Sequence, residues 1–258
     1  MHAIVANTLG AAMIASVAGL AFAAYQMKDI GKPIPLDPAN LCPIEAPAIA
    51  HVALMVDRTD ALTLAQAEVL QQEVDRAASG LPVGGRLSIH LISADPAAAA
   101  VPVLDRCNPG DGADIDPMWG NPRRARVRFD TGFVAPLAAL LADLQTPVEA
   151  PHSPIIASLA AVATGLDREG GQRRIVLVSD LLENDVGFSA YRQRPDPGQA
   201  MATQAFATLR EAGLKGITVE LVVLQSERSG QRQSPELTNL WVTMIQSVGG
   251  TAVLSSER

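Results

Sequence analysis

Residues 48–60 read Ala-Ile-Ala-His-Val-Ala-Leu-Met-Val-Asp-Arg-Thr-Asp, and residues 174–180 read Arg-Ile-Val-Leu-Val-Ser-Asp. Each is a short apolar run that stops at an aspartate. Runs of this length, without a helical stripe, fit strands buried on both faces of a sheet. Outward from them, Thr63–Ala78 places Leu64, Ala67, Leu70, Val74 and Ala77 at helical spacing and stops near Gly80. Arg86–Ile92 alternates as a second strand, and Val101–Arg106 is a weaker third, at an edge because Pro102 lies in it. A Gly/Pro/Asp-rich loop spans 108–121. Helices follow over Phe133–Leu144 and Pro154–Leu166, with Ser153 as N-cap and Pro154 in the first turn. Beyond the 174–178 strand come a helix over Gln199–Ala212, a strand over Ile217–Leu224, a helix from Ser234-Pro235 to Val248 and a last strand, Thr251–Leu254. Strands alternating with helices predict one α/β domain, 48–258, a doubly wound, mostly parallel six-stranded sheet of Rossmann-like layering.

The chain has 258 residues, of which 47 are charged, and residues 1–27 hold none of them. The remaining 231 positions carry charge at about 20%, near the ordinary level for a soluble domain. From Ala3 to Tyr25 an apolar run of about 23 residues is broken by Asn7, Thr8 and Ser16, enough as a helix to cross the hydrocarbon core. This predicts an N-terminal transmembrane anchor over 1–27 that contacts the lipid bilayer through 3–25. Ala21-Phe22-Ala23 carries the alternative, a cleaved signal peptide and a secreted product. Lys28 and Lys32 by charge rule pull the following domain toward the cytoplasm. Prolines 33, 35, 38, 43 and 47 make 28–47 a semi-rigid spacer. Cys42 and Cys107 are the two cysteines, both expected at the lower rim of the sheet. A disulfide between them requires an oxidising compartment, so the domain is expected on the periplasmic side of a single-pass inner-membrane protein. The net charge of −7 argues against a general nucleic-acid binder.

Two strands end in acid, at Asp57-Arg58-Thr59-Asp60 and at Ser179-Asp180. In an open parallel sheet, ligands sit beyond the carboxyl ends of the strands. If the weak third strand descends, the helix 133–144 climbs back and brings His152-Ser153-Pro154-Ile155 to the same rim. A strand ending in Asp-x-Thr, a later Ser-Pro-Ile opening a helix, and a strand ending in Ser-Asp together resemble a von Willebrand factor A-type domain with its metal-ion-dependent adhesion site. The resemblance spans nearly all of 45–258. It implies that Asp57 and Asp180 supply carboxylates, Thr59 the first hydroxyl and Ser153 the second loop's hydroxyl to Mg²⁺ or Mn²⁺, with hard oxygen donors throughout. It further implies a protein partner meeting that rim near Asp60, Thr63 and Ser179, with no small-molecule substrate and no catalysis. Ala61 departs from the pattern, standing where a second serine hydroxyl belongs. Either Asp60 or Thr63 compensates, or the metal is lost.

Three other readings stay open. Asp57 and Asp180 could simply cap following helices. A strand ending in Asp with later acids at Asp180 and Asp185 also resembles the haloacid-dehalogenase fold, a phosphohydrolase using Asp57 as nucleophile. That chemistry needs a second acid where Thr59 stands and a lysine before Asp180, whereas the lysines are Lys28, Lys32 and Lys215. Finally, Arg123–Phe129 alternates arginines as an exposed extended segment would. His51 and His90 lie within expected strands and read as packed, His152 as a surface residue, Trp119 as a loop anchor and Trp241 as core.

Overall fold

The computed structural model describes residues 17, 19–22, 25, 35–118, 120–144, 146, 150–166, 170–225 and 233–255. The chain forms two units, Met1–Pro35 and Leu36–Arg258. In the first, residues 17, 19–22 and 25 are helical, with Val17, Leu20, Phe22 and Tyr25 exposed. Most of the expected 3–25 segment, together with Lys28 and Lys32, lies outside the described residues, as does Trp119. Among the described residues no helix is long and apolar enough to cross a membrane.

In the second unit, β1 (Ala50–Asp57) leads to α1 (Leu64–Ser79), β2 (Arg86–Ile92), a 3₁₀ turn (Pro96–Ala100) and β3 (Leu104–Cys107). Then follow α2 (Pro122–Phe129), a π turn (Asp130–Val134), α3 (Ala135–Leu144), α4 (Ile155–Gly165) and β4 (Gln172–Ser179). The chain closes with α5 (Pro197–Met201), α6 (Gln204–Ala212), β5 (Ile217–Val223), α7 (Pro235–Ser247) and β6 (Thr251–Leu254). The sheet runs β3-β2-β1-β4-β5-β6, with β3 antiparallel to β2 and all other neighbours parallel. It is thus an α/β fold on a mixed six-stranded sheet.

Side-chain alternation along β1 divides the core in two. Val52, Leu54 and Val56 pack with Leu70 and Val74 of α1 and Leu137 and Leu141 of α3. Ala53 and Met55 face the opposite way, toward Leu159 of α4, Leu209 of α6 and Trp241 of α7. Right-handed crossovers require this split: β1 to β2 steps one way along the sheet and β4 to β5 the other, so their helices cover opposite faces. Each fully buried leucine or isoleucine contributes about 1.5–3 kcal/mol. The order reverses between β1 and β4, whose carboxyl ends are Asp57 and Ser179.

Cys42 and Cys107 form a disulfide with Cα atoms 4.7 Å apart. Cys107 pairs in register with Arg86, the first residue of β2, so the bond sits at the lower rim, where both cysteines were expected. The spacer is not extended throughout. A bridge between Leu36 and Pro43 and a turn at 38–40 fold its second half onto the domain, burying Leu41.

Two local expectations are corrected. The arginine-rich 123–129 segment is helical, because the Asn121 side chain accepts from Arg124 N–H and Pro122 opens the first turn. The 199–212 helix breaks in two, since Thr203 turns out of the ladder and its hydroxyl caps α6 by accepting from Phe206 N–H. His51 and His90 are packed within their strands as expected, both joined to Ser88 Oγ at 2.9 Å, and His90 Nδ1 donates to Ala99 O at 2.7 Å.

Candidate functional site

Asp57 ends the central strand with 7% of its surface exposed. Its Oδ1 accepts from the Thr59 hydroxyl at 2.7 Å and from Thr59 N–H at 3.1 Å. Its Oδ2 accepts from Ser179 Oγ at 2.7 Å and from Ser153 Oγ at 3.2 Å. One carboxylate therefore collects three hydroxyls, from the β1 end, the loop before α4 and the β4 end. All three hydroxyl residues are buried.

Each contributor is held by its own backbone. Ser179 Oγ accepts from Leu181 N–H at 2.9 Å. Leu181 adopts φ +62°, a left-handed conformation that leucine resists. Full burial and a bond from Trp241 Nε1 to its carbonyl, 2.9 Å, keep it there. Strain of this kind persists where the surrounding structure over-determines it, and it concentrates at functional sites. Ser153 exchanges two backbone bonds with Asn184, at 3.0 and 2.9 Å. Thr59 O accepts from Ala150 N–H, and Arg58 donates to Thr146 O at 2.8 Å.

Asp180 follows β4 and accepts from Leu182 N–H at 2.9 Å. Burial pushes its carboxyl up to about 7, a rise that the Leu182 amide opposes and that Asp57 and Asp60 increase. Burial likewise raises Asp57 above the usual carboxylate range, against the pull of the Ser179 and Thr59 hydrogen bonds. The two acids are close enough to repel.

The helix-capping reading of these acids does not hold. Thr63, not Asp57, caps α1 through a capping box with Gln66, and no helix opens within fifteen residues of Asp180. Thr63 is therefore occupied, while Asp60 and Ala61 are exposed beside the site. Ser153 does not cap α4 either. Its hydroxyl goes to Asp57, and the opening amides of α4 are served by Glu183, whose Oε2 accepts from Ile156 N–H at 2.8 Å. Glu183, 1% exposed, is raised to about 8 by burial despite bonds from the Ile156 and Ile155 amides. The sequence around it, Leu-Leu-Glu-Asn, carries no signal for this role. Lys215 precedes β5 and so lies at the end of the sheet opposite Asp57.

Among the described residues no group of three or more His, Cys, Asp or Glu side chains is arranged to hold a metal ion. The rim offers two neighbouring carboxylates and several hydroxyls, all hard oxygen donors. That donor set fits Mg²⁺ or Mn²⁺ and fits soft or imidazole-seeking metals poorly.

No protein-family model matches the chain, and no curated protein matches it. Among solved structures the chain is similar to a mutant of the PilB minor pilin from Streptococcus sanguinis, at 11% identity and a TM-score of 0.38. The match covers 83% of this chain and 59% of that one, so the chain spans less than two thirds of the pilin's length.

Proposed function

We propose that the chain is a membrane-anchored protein-binding module of the von Willebrand factor A type, which recognises its partner at the rim built on Asp57, Thr59, Ser153 and Asp180. The observation that carries this reading is the convergence of three buried hydroxyls from separate segments on the single Asp57 carboxylate. Polar groups are costly to bury, and four such side chains at one strand end exceed what the turn alone requires. The strand order and the descending β3 agree with the resemblance drawn from the sequence.

In this reading Mg²⁺ is held by Asp57, Thr59, Ser153 and Asp180. When bound, it supplies a Lewis-acidic position for a carboxylate oxygen of the partner. Ser179 orients Asp57, and Asp60 widens the negative rim that draws the cation in. The Cys42–Cys107 disulfide supports an oxidising compartment, hence a domain on the extracytoplasmic side of a membrane that the 3–25 segment spans.

Mn²⁺ titration of the full-length protein in detergent, read by water-proton relaxation, tests the metal. One site is expected in the wild type and none in Asp57→Ala or Asp180→Ala. Affinity capture of the intact protein with and without EDTA, followed by mass spectrometry, tests the partner. Capture of the same proteins irrespective of chelator and of Asp57→Ala would sink the reading, and a cytoplasmic signal from a topology reporter fused after Arg258 would sink its membrane orientation.

A further inference from the structure

Helix α2 takes no part in the Asp57 rim, and its arginines face water. At about 100° per residue, Arg123, Val127, Arg124 and Arg128 follow one another along an arc of about 140°, and all four are exposed, Val127 at 61%. Ala125, 5% exposed, and the half-buried Phe129 mark the opposite, packed side. The bonded acids lie off the arc. Asp111 and Asp130 both pair with Arg126, at 3.5 and 3.1 Å, on its flank. The Asp-rich loop meets the helix at Gly112, where a Cβ would stand 2.7 Å from Pro122 O and 3.0 Å from Ala125 Cβ, again on the packed side. Among the described residues the side chains of Arg123, Arg124 and Arg128 make no hydrogen bond or ion pair, with Asp114 and Asp116 of that loop or with any other group.

The helix itself does not call for this pattern, since Arg123 and Arg124 stand in its first turn, where the dipole disfavours cations. Its place in the fold is the rim where the spacer joins the domain. The π turn after α2 lays Gly132 against Leu41, with 2.7 Å from a Cβ there to Leu41 Cδ1, and the adjacent Cys42 is fastened to Cys107 at the foot of β3. The domain unit begins just before, at Leu36, which bridges Pro43. Eleven steps of chain lead from Leu36 back to Tyr25, where the charge-free apolar run ends, a reach of at most about 40 Å. Asp57, Asp60 and Asp180 stand at the other end of the sheet, so the domain is acidic at one rim and presents this cationic arc at the opposite one.

We propose that the exposed arc of α2 is a membrane-contact surface, on which Arg123, Arg124 and Arg128 dock to the anionic headgroups of the bilayer that anchors the chain. Guanidinium groups take phosphate oxygens bidentately and keep their charge at any physiological pH. Val127, between Arg123 and Arg124 on the arc, enters the headgroup layer beside them. The attraction fades within a Debye length, so the contact is sensitive to salt. Docked in this way, the domain holds its lower rim to the bilayer and turns Asp57 toward the solution. The proposal rests on the membrane anchoring of the function proposed above and is independent of any cation at Asp57.

The test reconstitutes the full chain into nanodiscs of phosphatidylcholine, alone or with about 30% phosphatidylglycerol, and follows arginine modification by p-hydroxyphenylglyoxal peptide by peptide in mass spectrometry. Arg123, Arg124 and Arg128 are expected to react about fivefold more slowly in the anionic discs, and to lose that protection near 1 M salt, where the Debye length falls to about 3 Å. Arg194, exposed in the loop before α5, should react alike in both discs. Equal rates for the α2 arginines in the two discs overturn the proposal and leave the arc to an acidic polypeptide. Protection that survives high salt overturns it as well, because the contact is then not one of charge. Co-elution with the neutral discs reads the anchor separately. A chain that elutes with both discs but shows equal rates keeps its anchor and loses the α2 contact. One that elutes only with the anionic discs, its α2 arginines protected, keeps the contact and loses the anchor, and elution free of both overturns the two together.

Discussion

Replacing Glu183 by glutamine isolates one buried proton. The carboxyl is 1% exposed, and burial raises it from 4.5 to about 8. Because the folded chain holds this proton more tightly than the unfolded chain does, the stabilisation is complete below pH 4.5 and is lost as pH rises through about 8. Linkage over that interval amounts to about 3 kcal/mol between pH 5.5 and pH 8.5. Asp180, raised to about 7 and partly exposed, adds a smaller loss of the same sign. Glutamine keeps a carbonyl to accept from the Ile156 amide but cannot titrate. Urea unfolding followed by tryptophan fluorescence at the two pH values should therefore show the wild type losing about 3 kcal/mol more than Glu183→Gln. Equal losses in both proteins would refute the claim that Glu183 folds with its proton on. Glu183→Ala is a control of different character: it strips the acceptor from the Ile156 amide, while the Ile155 amide keeps Ser153 O at 3.0 Å, and should cost about 1–3 kcal/mol at either pH.

Reducing the Cys42–Cys107 bond, which closes a loop of 65-residue separation, should cost about 4 kcal/mol in the chain-entropy account; urea unfolding with and without dithiothreitol measures it, and no change would show that the bond restrains little. His90 is held neutral by burial, below its usual 6.5, so its contribution to stability is present above that pH and lost as pH falls; an NMR titration midpoint at or above 6.5 would contradict this. Gly171→Ala should destabilise strongly, because a Cβ there overlaps Ile49 O beside the start of β1; thermal melting checks it. Trp241→Phe removes the indole donor to the carbonyl of Leu181, which keeps the Glu183 N–H at 3.1 Å, and should cost about 0.5–1.5 kcal/mol for that bond by thermal melting, loosening the Ser179–Leu181 turn at the site.

Much of the architecture is legible in the amino-acid sequence. The strand over 86–92 and the last strand, 251–254, match the observed bounds, and the two aspartate-terminated runs are the adjacent β1 and β4. Apolar periodicity is a local property, so residues such as Leu54, Val176 and Trp241 announce their burial on their own. The α2 helix was missed because alternating arginines were weighed above Asn121-Pro122, a helix-start signal already present in the sequence. The break at Thr203 was missed for a similar reason, a local cap hidden inside a continuous apolar pattern.

The candidate site was half legible. Asp57 and Asp180 stand out as acids at strand ends, cues that lie within a few residues, whereas Thr59 and Ser153 enter as site residues through the family resemblance. Which hydroxyl serves which carboxylate is not legible there. Ser153 reaches Asp57 across 96 positions and Ser179 across 122, contacts created by the reversal of strand order between β1 and β4. The same folding gave the α4 cap to Glu183 and freed Ser153 for Asp57. The sequence by itself determined the alternation of strands and helices, the cysteine pair and the acids at two strand ends, because each depends on neighbours along the chain. Only the tertiary structure decided the bonds among those acids and hydroxyls and the burial that raises Asp57, Asp180 and Glu183, because desolvation depends on what distant segments pack around a carboxyl.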